Sequence, residues 1–211
     1  MKKIDLRKEL KQFFKPSAKK VEVVDVPDFN FAMIDGQIEA GSMPGNSTGF
    51  QEAMGALFGM SYTLKFMSKL REVNPIDYPV MAVEGLWWVE GGEFDINKPG
   101  EWRYTLMMLQ PDHITAEMFE QARRKVKEKR DSAALAKVRL ERFHEGLCMQ
   151  IMHVGPYADE PATIETMQAF AREGGYSLRG KHHEIYLGDP RKTKPENLKT
   201  VLRQPIGQQA A

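Results

Sequence analysis

A single cysteine, Cys148, among 211 residues cannot close an intramolecular disulfide and rules out a cysteine-rich zinc site. A surplus of one charge is missing as well: 30 Lys+Arg stand against 29 Asp+Glu, a net charge of +1. A protein that holds nucleic acid by neutralising phosphates needs a cationic excess that this chain lacks. No apolar run approaches the roughly 20 residues of a membrane helix. The opening MKKIDLRKEL has neither the apolar core nor the small residues of a signal peptide. These absences lead to the expectation of a cytoplasmic protein with neither nucleic acid nor membrane as partner. G-x-G-x-x-G, P-loop and G-x-S-x-G motifs are absent too, so nucleotide binding and serine-hydrolase chemistry have no support. What is present, 42% hydrophobic and 28% charged residues, is the composition of an ordinary globular protein with enough length for a core.

Taken in order, residues 1–15 carry Leu6, Leu10 and Phe13 at helical spacing, which predicts a short amphipathic helix that Pro16 ends. Residues 21–26 read as a strand, Pro27-Asp28 as a turn and residues 29–37 as a return strand. Ser47 or Thr48 caps a long helix over 49–71, whose i+4 row is Phe50, Met54, Phe58, Tyr62 and Phe66. A second row, Ala53, Leu57, Met60, Leu64 and Met67, makes the helix apolar on two faces, and both need cover. One row is expected to line a pocket; were it exposed, a homodimer contact would be the better account. Strands follow at 78–90 and 102–110, then a charged helix over 116–130 with Thr115 as its cap, and a short helical piece at 132–136. The interleaved acids of the charged helix favour a solvated connector over a nucleic-acid patch.

From residue 137 the pattern repeats. Lys20-Val21 recurs as Lys137-Val138 and Gly36 as Gly155, and the order strand, strand, helix, strand, strand comes round again. Glu145-Gly146 reads as a turn, Asp159 with Pro161 opens the second helix, and Gly174-Gly175 closes it. The fold expected is α+β: two pseudo-symmetric strand–helix–strand–strand repeats, each with a preceding strand. Their antiparallel sheets would carry helices on one side and a ligand cleft between the halves. The division expected of the single domain is an N-terminal helix (1–19), repeat one (20–110), a charged connector (111–136), repeat two (137–205) and a tail (206–211).

The chemistry centres on His182-His183-Glu184-Ile185-Tyr186-Leu187, which Gly188-Asp189-Pro190 stops. Side chains two apart on a strand share a face at roughly 6.6 Å spacing. His182, Glu184 and Tyr186 therefore point one way, and His183, Ile185 and Leu187 the other. A carboxylate beside a phenol can accept a proton or a cation while the phenol donates a hydrogen bond; a solvated Glu is the plainer alternative. The pseudo-symmetric partner strand holds Trp87 and Trp88 on opposite faces, and one of them should meet Glu184 and Tyr186 across the cleft. Tyr104 and Trp102 share a face on the next strand. An acid in an aromatic pocket suits a flat cationic ligand, with cation–π contacts worth roughly 0.5–2 kcal/mol each. It equally suits a general acid or base whose pKa is shifted by desolvation. His182 with Glu184 finds no third ligand at a metal-site spacing, and no HExxH is present, so neither a metal nor a cofactor is expected.

Four stretches together carry a resemblance: Gly85-Leu86-Trp87-Trp88; Met107-Met108-Leu109-Gln110-Pro111-Asp112; Gly146-Leu147-Cys148; and the run from Gly180 to Arg191 containing His182-His183-Glu184-Ile185-Tyr186. With them the chain resembles the stand-alone GyrI-like small-molecule-binding proteins over nearly its whole length. The resemblance implies a duplicated SHS2, SOUL-like fold shared with the ligand-sensing domains of multidrug-responsive activators. In those, an acid at the position of Glu184 meets cationic drugs among aromatic rings. Some stand-alone members are similar to cyclopropanoid cyclopropyl hydrolases, which detoxify DNA-alkylating natural products by opening a strained ring. The resemblance then implies Glu184 and Tyr186 as catalytic residues and Trp87 or Trp88 as the aromatic clamp. Tyr104, Phe58, Tyr62, Phe66 and His182 complete the expected ligand-binding set. A non-catalytic binder, or an interaction module for a protein partner, is the alternative.

Overall fold

Local sequence sets the elements of the computed structural model, which describes residues 1–92, 94–95 and 102–208. The N-terminal segment is broken into a two-residue strand β1 (Lys2–Lys3) and single-turn helices α1 (Leu6–Glu9) and α2 (Lys11–Phe14), not one amphipathic helix. β2 (Glu22–Gln37) follows. Ser47 then opens α3 (Thr48–Leu70), its side chain accepting the Phe50 N–H, the bond that the sequence predicts for a cap. Next come β3 (Ile76–Asp77), β4 (Val83–Trp88), β5 (Arg103–Gln110), α4 (Ala116–Lys129, capped by Thr115) and α5 (Ala133–Lys137, capped by Ser132). The second half contains β6 (Arg139–Val154), α6 (Glu160–Glu173), β7 (Tyr176–Leu178), β8 (His182–Tyr186) and β9 (Lys199–Gln208). Among the described residues no helix is long and apolar enough to cross a membrane.

The main sheet runs β6-β2-β5-β4-β8-β9, and β9 pairs back onto β6, so six antiparallel strands close into a barrel-like ring. Each half has the same order, β2-β5-β4 and β6-β9-β8, with the first strand beside the third. Two like halves therefore meet at two antiparallel seams, β2 with β6 and β4 with β8. Both long helices cover the same side of the sheet. Leu57, Met60 and Leu64 of α3 pack with Ile34, Leu106 and Met108 of the first half. Met167 and Ala171 of α6 pack with Met149, Ile151 and Leu202 of the second. The opposite, ring face holds its own core of Phe31, Met33, Leu86, Met107, Ile185 and Val201, closed at one end by Phe13 and Phe14 from α2.

The two expected turns are not turns. The chain runs straight through Pro27-Asp28 in β2 and through Glu145-Gly146 in β6, each strand being 16 residues long. Their register stays unbroken, with Val26 opposite Gly146 and Asp28 opposite His144. What changes is the phase of burial. Val24 and Val26 look into the ring, and beyond Pro27 it is Phe29, Phe31 and Met33 that do; β6 slips likewise between Phe143 and Cys148. Gly146 sits at φ 74°, the left-handed region where a side chain strains the backbone. Pro27 can donate no ladder hydrogen bond. A one-residue phase slip breaks the period-2 pattern as a turn does, so the sequence signal is the same for both.

Candidate functional site

The alternation expected along β8 holds. Ile185 faces into the ring core, and His182, Glu184 and Tyr186 face the helix-covered side. There the Tyr186 hydroxyl donates to Glu184 Oε2 at 2.6 Å and accepts the Trp87 Nε1–H at 2.9 Å, a relay of indole, phenol and carboxylate. Register explains why these three converge. On β4, Gly85 lies opposite Glu184 and Trp87 opposite His182 of β8. Because residue 85 has no side chain, the Trp87 ring can lie across it; a Cβ there would sit 2.7 Å from Trp87 Nε1 and 3.3 Å from Tyr186 Oη. Gly36 plays the same part under Tyr104, where a Cβ would fall 2.2 Å from the ring.

Aromatic rings wall the relay. Phe50, from the first turn of α3, stacks on Trp87 at 5.8 Å and 21°, and Tyr104 and Trp102 each lie 5.9 Å from Trp87. Phe94 stacks on His182 at 5.4 Å and 11°, and Tyr157 stands edge-on to Tyr186 at 5.8 Å. His182 Nε2 comes within 3.3 Å of Glu184 Oε1, near enough for an ion pair, without the alignment of a hydrogen bond. Glu184 is 6% exposed and Trp87 4%, whereas Tyr157 at 37% is the wettest part of the wall.

A second acid belongs to this place. Glu160, the first residue of α6, is 1% exposed. Burial first, and then the charge of Glu184, push its carboxyl up to about 9, so it holds its proton at neutral pH; the Thr200 hydroxyl opposes this weakly. Thr200 Oγ1 is near enough to act on the Glu160 carboxyl, yet among the described residues neither it nor Glu160 Oε1 has a well-aligned hydrogen bond, nor does Trp102 Nε1. Buried polar atoms are normally paired, so unmet bonding capacity at Glu160 and Thr200, which lie together near Glu184, is unusual. Burial, followed by the Glu184 charge, drives Tyr186 well above the usual phenol range; burial, then Glu160 and Glu184, lifts Tyr157 to about 12. Tyr186 therefore stays a phenol and acts as a donor or an orienting group.

The residues singled out in the sequence part company here. Glu184, Tyr186, Trp87 and His182 come together, with Tyr104 behind Trp87. Trp88 does not join them: it faces the ring side, where the Lys181 ammonium rests 3.3 Å from its ring centroid. The pocket-lining row on α3 is corrected beyond Phe50. Phe58 stacks on Tyr62 at 6.3 Å, and Tyr62 and Phe66 are each 49% exposed. At 1.5 Å of rise per residue, Tyr62 and Phe66 lie about 18 and 24 Å along the helix from Phe50. Phe50 is the member of the expected α3 row that reaches the site, whereas Tyr157, Glu160 and Thr200 were missed as site residues. An acid in the first turn of a helix is ordinary dipole chemistry, so Glu160 carries no local mark of its role.

A family model described as the GyrI-like small molecule binding domain matches residues 19–206. Among solved structures, the chain is 37% identical to an uncharacterized conserved protein from Listeria innocua, with a TM-score of 0.88 over 97% of this chain and 100% of that one. It is 39% identical to a Listeria innocua protein named a hydrolase, with a TM-score of 0.83 over 98% and 100% of the two chains. The EcmrR C-terminal domain is 9% identical with a TM-score of 0.53, covering 90% of this chain and 98% of that domain, a likeness of fold alone. No curated protein matches the chain.

Proposed function

Because the chain belongs to the GyrI-like small-molecule-binding domain family, we propose that it takes up planar, hydrophobic, electrophilic compounds on the helix-covered face and detoxifies them by hydrolytic opening of a cyclopropane. The observation that carries this reading is the Trp87–Tyr186–Glu184 relay, with the protonated Glu160 carboxyl beside it. Two carboxyl groups at one site, one holding its proton and one accepting a hydrogen bond, are the usual arrangement for paired acid and base work. The Listeria innocua protein named a hydrolase, at 39% identity, supports the same reading.

In this mechanism the flat ligand lies against Trp87 and Phe50. Glu184 takes a proton from water as the water oxygen bonds to a cyclopropane carbon. The carbon–carbon bond breaks, and its electron pair passes to a conjugated carbonyl oxygen. That oxygen takes a proton from Tyr186 or Glu160, and the proton held by Glu184 restores the donor, so one water is added and nothing else changes. Buried rings keep other water away from the reacting carbon.

A mass-spectrometric turnover assay on a cyclopropane-bearing DNA alkylator tests it. The expected result is addition of one water over many turnovers, with a loss on the order of 10²–10⁴-fold in Glu184→Gln. The second reading, a binder without catalysis, is favoured by how deeply Glu184 is enclosed, since a buried carboxylate among rings also holds a flat cation. It predicts no turnover by either protein and weaker binding of lipophilic cations by the variant. Unchanged turnover in Glu184→Gln would remove this residue from the mechanism.

A further inference from the structure

The ring face, opposite the relay, carries a site of its own. A cavity of about 490 Å³ opens there, with Met33, Leu86 and Phe143 as apolar floor and Trp88 as an aromatic wall. A second cavity of about 210 Å³ continues from it, sharing Leu86, Phe143 and Lys181. The combined space is in the range that takes a small organic ligand. Its charges are not balanced as they stand. The acids on the wall of the larger cavity, Asp35 and Glu141, are both engaged by Arg139, at 2.9 and 2.5 Å, and Asp35 also accepts the Thr105 hydroxyl at 2.7 Å; Glu145, on the wall of the smaller, is held by His183 and Arg203.

The remaining cations make no ion pair with those acids among the described residues. Arg103 pairs with Glu90, which is 74% exposed and outside the cavity. Arg179 gives its hydrogen bonds to the backbone carbonyls of Glu145, Leu147 and Ile206. Lys181 has no carboxylate within ion-pair distance among the described residues, and its ammonium lies on the Trp88 ring. We propose that this cavity is a second small-molecule site, selective for planar aromatic anions, whose ring packs between Trp88 and the Leu86–Phe143 floor and whose carboxylate or sulfonate meets Lys181 and Arg103. Burial holds the Lys181 ammonium below the usual lysine range; the charges of Asp35 and Glu141 oppose this, and that of Arg139 adds to it, so a bound anion would relieve what burial still costs. The relay and this cavity thus differ in character, with two acids among rings over the helices and, in the cavity, a lysine on an aromatic ring without an ion-pair partner among the described residues. This site does not depend on the relay or on turnover.

Calorimetric titration of the full chain with 2-naphthalenesulfonate tests it, with a naphthyl trimethylammonium cation as the matched control. Saturable one-to-one binding of the anion is expected, weakening with salt and by roughly tenfold or more in Lys181→Met. Trp88→Leu should weaken it as well, while Lys181→Arg and Glu184→Gln should leave it near the parent value. Melting curves of each variant show that it is folded. The absence of saturable binding, an unchanged affinity in folded Lys181→Met, equal affinity for the cation, or a matching loss in Glu184→Gln would each overturn the proposal.

Discussion

Replacing Glu160 by Gln should make the protein more stable, and increasingly so as pH rises. In the folded state burial and the neighbouring Glu184 lift the Glu160 carboxyl from 4.5 to about 9. Between those values the folded chain keeps a proton that the unfolded chain has released, so stability falls as pH rises through that window. Each pKa unit corresponds to about 1.4 kcal/mol. The cost of the native side chain is then about 1 kcal/mol at pH 5, about 3 at pH 7 and about 5 at pH 8. Gln has the shape of the protonated acid and cannot ionise, so it recovers that cost. For a chain of this length about 3 kcal/mol is roughly 6–12 °C in melting temperature. Thermal and urea melts of both proteins at pH 5, 7 and 8 provide the measurement. Slopes from groups that Glu160 does not act on, His183 among them, are common to both proteins and cancel in the difference. A stability difference that stays flat with pH, or a variant less stable at pH 8, would refute the placement of a neutral carboxyl there.

Three further outcomes follow from named contacts. Gly85→Ala puts a Cβ 2.7 Å from Trp87 Nε1, so the indole must leave Tyr186; a loss of about 1–3 kcal/mol and altered tryptophan fluorescence are expected, and an unchanged emission spectrum would argue against the relay. Glu145→Gln breaks a buried network on the ring face, where His183 donates to Glu145 and Glu84, each at 3.0 Å, and Arg203 donates to Glu145 at 3.2 Å. Burial disfavours the imidazolium, yet the charge and hydrogen bonds of Glu145, with the bond to Glu84, outweigh it and raise His183 to about 9. Its stabilisation is complete below pH 6.5 and is lost as pH rises through about 9, so the variant should lose about 3–5 kcal/mol near pH 6 and show a shallower decline above it; equal declines would count against the network. Ser47→Ala removes the α3 cap and should cost about 1 kcal/mol in urea melts, with no effect at all pointing to a water or backbone substitute.

Much of this molecule was legible in the order of its residues, because the signals involved are local. Ser47 and Thr115 announced their helices through cap chemistry. The alternation of β8 put Glu184 and Tyr186 on one face, and duplication of the strand–helix–strand–strand pattern foretold two like halves. Tertiary structure alone decided the rest. Whether Trp87 or Trp88 meets Glu184 depends on which face the helices cover, and two adjacent residues of one type carry no such label. The closing of β9 onto β6 joins residues far apart in sequence, and the phase slips at Pro27 and Gly146 look like turns until the partner strand is seen. Glu160 became a site residue only when the start of α6 was set against Glu184, since the shift of a carboxyl's pKa comes from what is folded around it and not from its neighbours in the chain.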